Sequence, residues 1–239
     1  MFSTSVDSQW FPTCAVFDCD GVLLDSEKVW EEIQQETFQQ FNIEPTAEIL
    51  DRLVGSAASD LVDVIVELTD LAGYSEQEKE EFYRSVAKQV HESEGNIIER
   101  GLETIPGALD LIKKLSAVIP VAVASNSSSD LLTNKLTKFG HREYLTAWVG
   151  AHDVENPKPA PDLYLEAIKR LDGEPSRTFT VEDSHAGAQA AQGSGAVTFI
   201  FTQNRENAPS GDGYFDSFTD PDFLAQIDSW IERLKAGQE

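Results

Sequence analysis

The chain has 239 residues, 41% of them hydrophobic, enough to bury a sizeable core in one large domain or two smaller ones. Its 42 acids against 18 bases give a formal net charge of −24, which repels nucleic acid and anionic membranes, so neither is expected as a partner. No stretch approaches the ~18 apolar residues of a membrane span, and the polar start Met1 to Trp10 lacks the basic and apolar regions of a secretory signal.

Ala15-Val-Phe17 reads as a buried strand of a parallel sheet, and it stops abruptly at Asp18 and Asp20 with Gly21 directly behind them. Carboxylates at the end of such a strand lie at the rim where α/β sheets keep their binding sites. Two unshielded acids there repel each other and lose hydration, a cost that a divalent cation would offset. Cys14 and Cys19 are the only cysteines; five residues apart, they make neither a zinc pattern nor a disulfide framework, which fits a reducing cytoplasm. Cys19 alternates with the acids on an extended segment and is expected to point into the core.

After Glu27 the texture is helical up to residue 103. Trp30, Ile33, Phe38 and Phe41 mark one amphipathic helix ending near Asn42, Leu61, Val62, Ile65 and Leu68 a second, and Phe82, Val86 and Val90 a third. From Thr104 strands and helices alternate. Pro106-Gly107 opens a helix carrying Leu109, Ile112 and Leu115. Then follow a strand at 121–124, a helix at 131–139, a short strand at Trp148-Val149, a helix at 163–171, a strand at 179–181, a helix from Ala186, a strand at 198–201 and a closing helix at 222–235. This alternation implies βαβ units and a parallel sheet. The strand at 15–17 belongs to it, since one strand cannot stand alone. The helical block is therefore an insertion, with linkers near Asp25–Lys28 and Arg100–Thr104. The stretch Asn204–Gly213 reads as a loop.

Three further strand ends finish in polar residues. Ser125-Asn126, followed by Ser127 to Ser129, places a hydroxyl, an amide and free backbone N–H groups at a helix start, as an oxyanion cradle or as an ordinary N-cap. Lys158 sits among Pro157, Pro159 and Pro161, which stiffen the approach to the next helix and either fix the lysine's position or simply make a rigid loop. Glu182-Asp183-Ser184 ends another strand; both acids can reach one cation only if the strand has already turned, and hard oxygen ligands favour Mg²⁺. Asp183 or Ser184 would otherwise serve as a helix cap.

Together, and in this order, the Asp18-Cys-Asp20-Gly-Val, Ser125-Asn126, Lys158-Pro159 and Glu182-Asp183-Ser184 motifs resemble those of the haloacid dehalogenase superfamily of phosphotransferases. The likeness runs from about Pro12 through nearly the whole chain. The insertion looks like the helical cap of the sugar-phosphatase and β-phosphoglucomutase branch. The resemblance implies an α/β fold: a Rossmann-like parallel-sheet core of residues 1–26 and 104–239, with an inserted all-helical cap domain at 27–103. It implies Asp18 as the nucleophile that forms an aspartyl-phosphate and Asp20 as the general acid and base, its pKa raised by nearby acids. Mg²⁺ would be bound by Asp18, the Asp20 backbone carbonyl, Glu182 and Asp183, while Ser125, Asn126 and Lys158 would stabilise the transferring oxygens.

An acid at position 20 favours phosphate transfer over dehalogenation, which has no alkoxide to protonate. The mutase branch generally carries a His where this chain has Trp30, and an Arg where it has Ala58, three residues after Gly55. A phosphatase is therefore expected rather than a hexose-phosphate mutase, with Trp30, Gly55 and Ser56 as candidate contacts to the leaving group, although Trp30 reads equally well as a core aromatic. A catalytically silent binding protein would require Asp18 or Asp20 to be replaced, and neither is. The expected partner is a small phosphorylated metabolite, and the acidic surface makes a monomer the expectation.

Overall fold

The computed structural model describes residues 1–53, 56 and 58–236. In chain order these form β1 (Ser3–Thr4), β2 (Cys14–Phe17), β3 (Leu24–Asp25), α1 (Glu27–Gln40), α2 (Ala47–Leu53), α3 (Ala58–Leu68) and α4 (Glu76–Gly95). Next come β4 (Glu103–Thr104), α5 (Ala108–Ser116), β5 (Val121–Ala124), α6 (Ser129–Lys138) and β6 (Ala147–Val149). The chain closes with α7 (Asp162–Arg170), β7 (Thr178–Glu182), α8 (His185–Gly193), β8 (Val197–Phe201), β9 (Gly213–Phe215) and α9 (Pro221–Ala236). Two compact units result: Met1–Asp25 with Thr104–Glu239, and Ser26–Glu103.

The first unit is built on a seven-stranded sheet in the order β1-β9-β8-β7-β2-β5-β6, parallel throughout except for β1 against β9. Period-2 alternation sends neighbouring side chains of β2 to opposite faces. Cys14 and Val16 pack with Leu163, Tyr164 and Ile168 of α7 and with Ala190 and Ala191 of α8. Phe17 meets Phe179 edge-on, and Phe179 and Phe199 both pack edge-on against Trp230 of α9. Burial on both faces is why β2 and β5 are unbroken apolar runs, while β7 buries Thr178 and Thr180 between its apolar residues.

Register places the site. Phe17 lies opposite Val181 of β7 on one side and Val123 of β5 on the other. Asp18 and Ser125, just past β2 and β5, therefore emerge at the same edge as Glu182, the last residue of β7.

Five of these elements go beyond the sequence reading: α2, the strands β1 and β9, which extend the sheet at one edge, and β3 and β4, which pair with each other. The stretch read as a loop leads directly into β9, whose Phe215 stacks on Phe223 of α9 with ring centroids 4.1 Å apart. Strands of two or three residues are too short for alternation to register, and only pairing with β8 and β1 defines β9.

The second unit is helical apart from its link to β4. Phe38, Leu53, Leu61, Val62, Val64, Ile65, Val86 and Val90 form its core, with Trp30, Phe41, Ala58 and Phe82 packed around it. α4 starts at a capping box in which the Ser75 hydroxyl accepts from Glu78 N–H and the Glu78 carboxylate accepts from Ser75 N–H. Among the described residues, no helix is long and apolar enough to cross a membrane.

Candidate active site

β2 delivers Asp18 between the ends of β7 and β5, its N–H donating to Val181 O at 3.0 Å. On the β7 side a buried ionic cluster forms. Lys158 Nζ donates to Asp18 Oδ1 at 2.7 Å and to Glu182 Oε1 at 2.6 Å, and the Tyr164 hydroxyl donates to the same Glu182 oxygen. The Lys158 backbone is clamped by Asn126, whose Oδ1 accepts from Lys158 N–H at 2.9 Å and whose Nδ2 donates to Lys158 O at 3.3 Å. The amide read from the sequence as part of an oxyanion cradle is engaged in placing the lysine.

Asp18, Glu182 and Asp183 each bring a carboxylate oxygen within 4.8 Å of the others. Two glycines make this convergence possible. A Cβ on Gly21, which has φ +79°, would lie 1.8 Å from Asp183 Oδ2, and one on Gly187 would lie 1.9 Å from Glu182 Oε2.

Lys158 is shared between Asp18 and Glu182, with the Asp183 carboxylate beside them. Burial pushes the Asp18 carboxyl up to about 7; Lys158 opposes this, while Glu182 and Asp20 add to it. Burial alone would lower Lys158, but Asp18 and Glu182 outweigh it and hold the ammonium above the usual lysine range. Burial and then Glu182 raise the Tyr164 hydroxyl, so it stays a donor. A cluster of hard oxygen donors fits Mg²⁺.

On the β5 side, Asp20 faces different neighbours. Its Oδ2 accepts from Ser127 Oγ at 3.0 Å and Ser125 Oγ at 3.3 Å, and Lys135 Nζ donates to both carboxylate oxygens at 2.7 and 2.9 Å. The sequence reading placed acids near Asp20; an ammonium also meets its carboxylate directly. Lys135 was missed, yet a signal existed. Leu131, Leu132 and Leu136 form the buried stripe of α6, and helical spacing puts position 135 on it. Cys19 is fully buried, as expected of a core residue. Tyr164 was likewise unanticipated, because an aromatic on an apolar helix stripe reads as core.

In the second unit, Trp30 packs beside the helical core. Ser56 donates from its Oγ to Leu53 O at 2.9 Å. Gly55 lies outside the described residues.

The pattern of the family described as haloacid dehalogenase-like hydrolase matches residues 15–201. A 6-phosphogluconate phosphatase of Escherichia coli is 30% identical over 195 residues, 81% of this chain and 84% of that protein. A bifunctional riboflavin kinase/FMN phosphatase of Arabidopsis thaliana is 29% identical over 185 residues, 77% of this chain; the chain spans 46% of that longer protein. Among solved structures, CbbY from Rhodobacter sphaeroides in complex with phosphate superposes with a TM-score of 0.73 at 24% identity, over 91% of this chain and 99% of that one, a likeness of fold.

Proposed function

The chain belongs to the haloacid dehalogenase-like hydrolases and is a phosphoric monoester hydrolase of that family, and we propose that it is a Mg²⁺-dependent phosphatase for a small phosphomonoester. The substrate class is a sugar phosphate, a sugar-acid phosphate or phosphoglycolate. One observation carries this reading: Asp18 stands at the sheet edge with Lys158 on one oxygen and the Glu182 and Asp183 carboxylates beside it.

An Asp18 oxygen attacks phosphorus in line, the bond to the alcohol breaks, and Asp20 protonates the departing oxygen. Water then attacks phosphorus, passes its proton to Asp20 and frees the Asp18 carboxylate. Lys158 holds Asp18 in one orientation and neutralises charge building on the transferring oxygens. Ser125 orients Asp20 through its hydroxyl, and Asn126 fixes Lys158 through its amide. Mg²⁺ held by Asp18 and Asp183, with Glu182 alongside, would supply the charge that lets one anion attack another.

The helical unit takes the part of the cap, where leaving-group preference is set. Trp30 and Ala58 stand where a mutase of this branch carries groups for a second phosphate, and both serve the helical core instead. Both cysteines are free and buried, which fits a cytoplasmic enzyme, and we take it to be a monomer.

The test is turnover of a panel of sugar phosphates, sugar-acid phosphates and phosphoglycolate, scoring free phosphate and isomerised sugar phosphate together. Mg²⁺-dependent phosphate release that EDTA removes and Asp18→Asn abolishes is the expected result. Isomerised product with little free phosphate would make the protein a mutase.

A further inference from the structure

Lys135 is 1% exposed, and its ammonium meets a carboxylate 115 residues away in sequence. Besides both Asp20 oxygens it donates to Ser127 Oγ at 2.8 Å, and Ser127 in turn donates to Asp20 Oδ2. Three side chains thus close a small ring of hydrogen bonds. The pair is lopsided: the lysine side chain is 2% exposed and the aspartate side chain 31%. A pair that served only packing would be better replaced by apolar groups of the same volume. Here the cation is sunk behind the carboxylate, which is gripped through both oxygens yet stays open to an arriving molecule. Gripping both oxygens removes the carboxylate's rotation, and orientation of a proton-transfer group is worth a large part of its effect.

We propose that Lys135, with Ser127, is a positioning residue for Asp20 in the second half-reaction, the hydrolysis of phosphorylated Asp18; this rests on the phosphatase reading above. The carboxylate form of Asp20 is the one that pairs with an ammonium, and it is the form that accepts a proton. In this step the water oxygen bonds to phosphorus, the bond from phosphorus to the Asp18 oxygen breaks, and the water proton goes to Asp20. Lys135 touches no reacting atom; it sets the direction from which Asp20 faces the water.

The experiment compares wild type, Lys135→Met and Ser127→Ala with Mg²⁺ and p-nitrophenyl phosphate, whose leaving group departs without protonation. With this probe kcat/KM ends at phosphorylation of Asp18, whereas kcat includes its hydrolysis. Lys135→Met is expected to lower kcat about 10-fold or more while changing kcat/KM by less than about 3-fold, with a burst of p-nitrophenolate before the steady state. Acid quenching with the best panel substrate should trap more phosphorylated Asp18 in the variant than in wild type. Ser127→Ala should show the same split at smaller amplitude, and it decides the matter alone if Lys135→Met does not fold. Losses of kcat and kcat/KM in proportion, with no burst and no added phosphoenzyme, would overturn the role of Lys135 while leaving the phosphatase reading intact. A wild type that hydrolyses neither the probe nor any panel member would remove the phosphatase reading, and this inference with it.

Discussion

Asp18 and Asp20 lie two residues apart on one segment, and the fold treats them in opposite ways. Asp18 turns toward the end of β7, where one lysine is shared with Glu182 and a third acid, Asp183, stands close. Asp20 turns toward the end of β5, where a lysine and two serines serve a single carboxylate. The first corner is buried and shares its lysine between two acids; the second is neutralised and open on its solvent side. Two chemically identical groups are thereby given different surroundings, which on the proposed reading suit one as nucleophile and the other as proton carrier, and the sorting comes from which flanking strand each one leans toward.

The hardest test of the acid-rich corner is Lys158→Met, which leaves three converging carboxylates with no ammonium between them. Activity should fall about 10²–10³-fold, and urea denaturation in metal-free buffer should show a loss of about 3 kcal/mol. A mild effect on both would mean that Lys158 is not what holds that corner together.

The contrast itself is tested by the two isosteric changes Asp18→Asn and Asp20→Asn. Asp20→Asn removes the carboxylate that Lys135 faces and should cost about 2 kcal/mol. Asp18→Asn should not. The folded Asp18 carboxyl sits at about 7 against an ordinary 3.8, so between those values the folded state binds the extra proton. Its contribution to stability is present below pH 3.8 and is lost as pH rises toward 7. In metal-free buffer at pH 8, Asp18→Asn should therefore match wild type or exceed it by on the order of 1 kcal/mol. Melting curves with EDTA check this, and equal destabilisation by the two variants would erase the distinction.

The smallest effect belongs to Tyr164→Phe. It removes one donor from Glu182 while Lys158 remains, so stability should fall by about 1 kcal/mol. Turnover should drop only severalfold in steady-state assays, because Lys158 still faces Asp18. A loss as deep as that of Lys158→Met would mean that Tyr164, rather than the lysine, keeps Glu182 in place.

The β2 and β5 cores were legible because strands buried on both faces are unbroken apolar runs, and β7 through Phe179 and Val181 ahead of its polar end. The polar strand ends at Asp18, Ser125 and Glu182 were found for the same reason. Asp18 and Lys158, both in those motifs, meet through a hydrogen bond. The partner that Lys135 meets, the role of Tyr164 and the clamp of Asn126 on the Lys158 backbone were not legible, since each depends on a helix or loop being set at one angle to a strand distant in sequence. β1 and β9 escaped for a related reason: their few residues acquire strand geometry only from their neighbours.

By itself, the sequence determined the alternation of strand and helix, the helical insertion, the burial of Cys19 and the set of acids at the strand ends, because these follow from hydrophobic period and local chain chemistry. Only the tertiary structure decided which cation each aspartate meets. Electrostatic pairing depends on distance across the sheet edge, and register between β2, β5 and β7, rather than spacing along the chain, sets that distance.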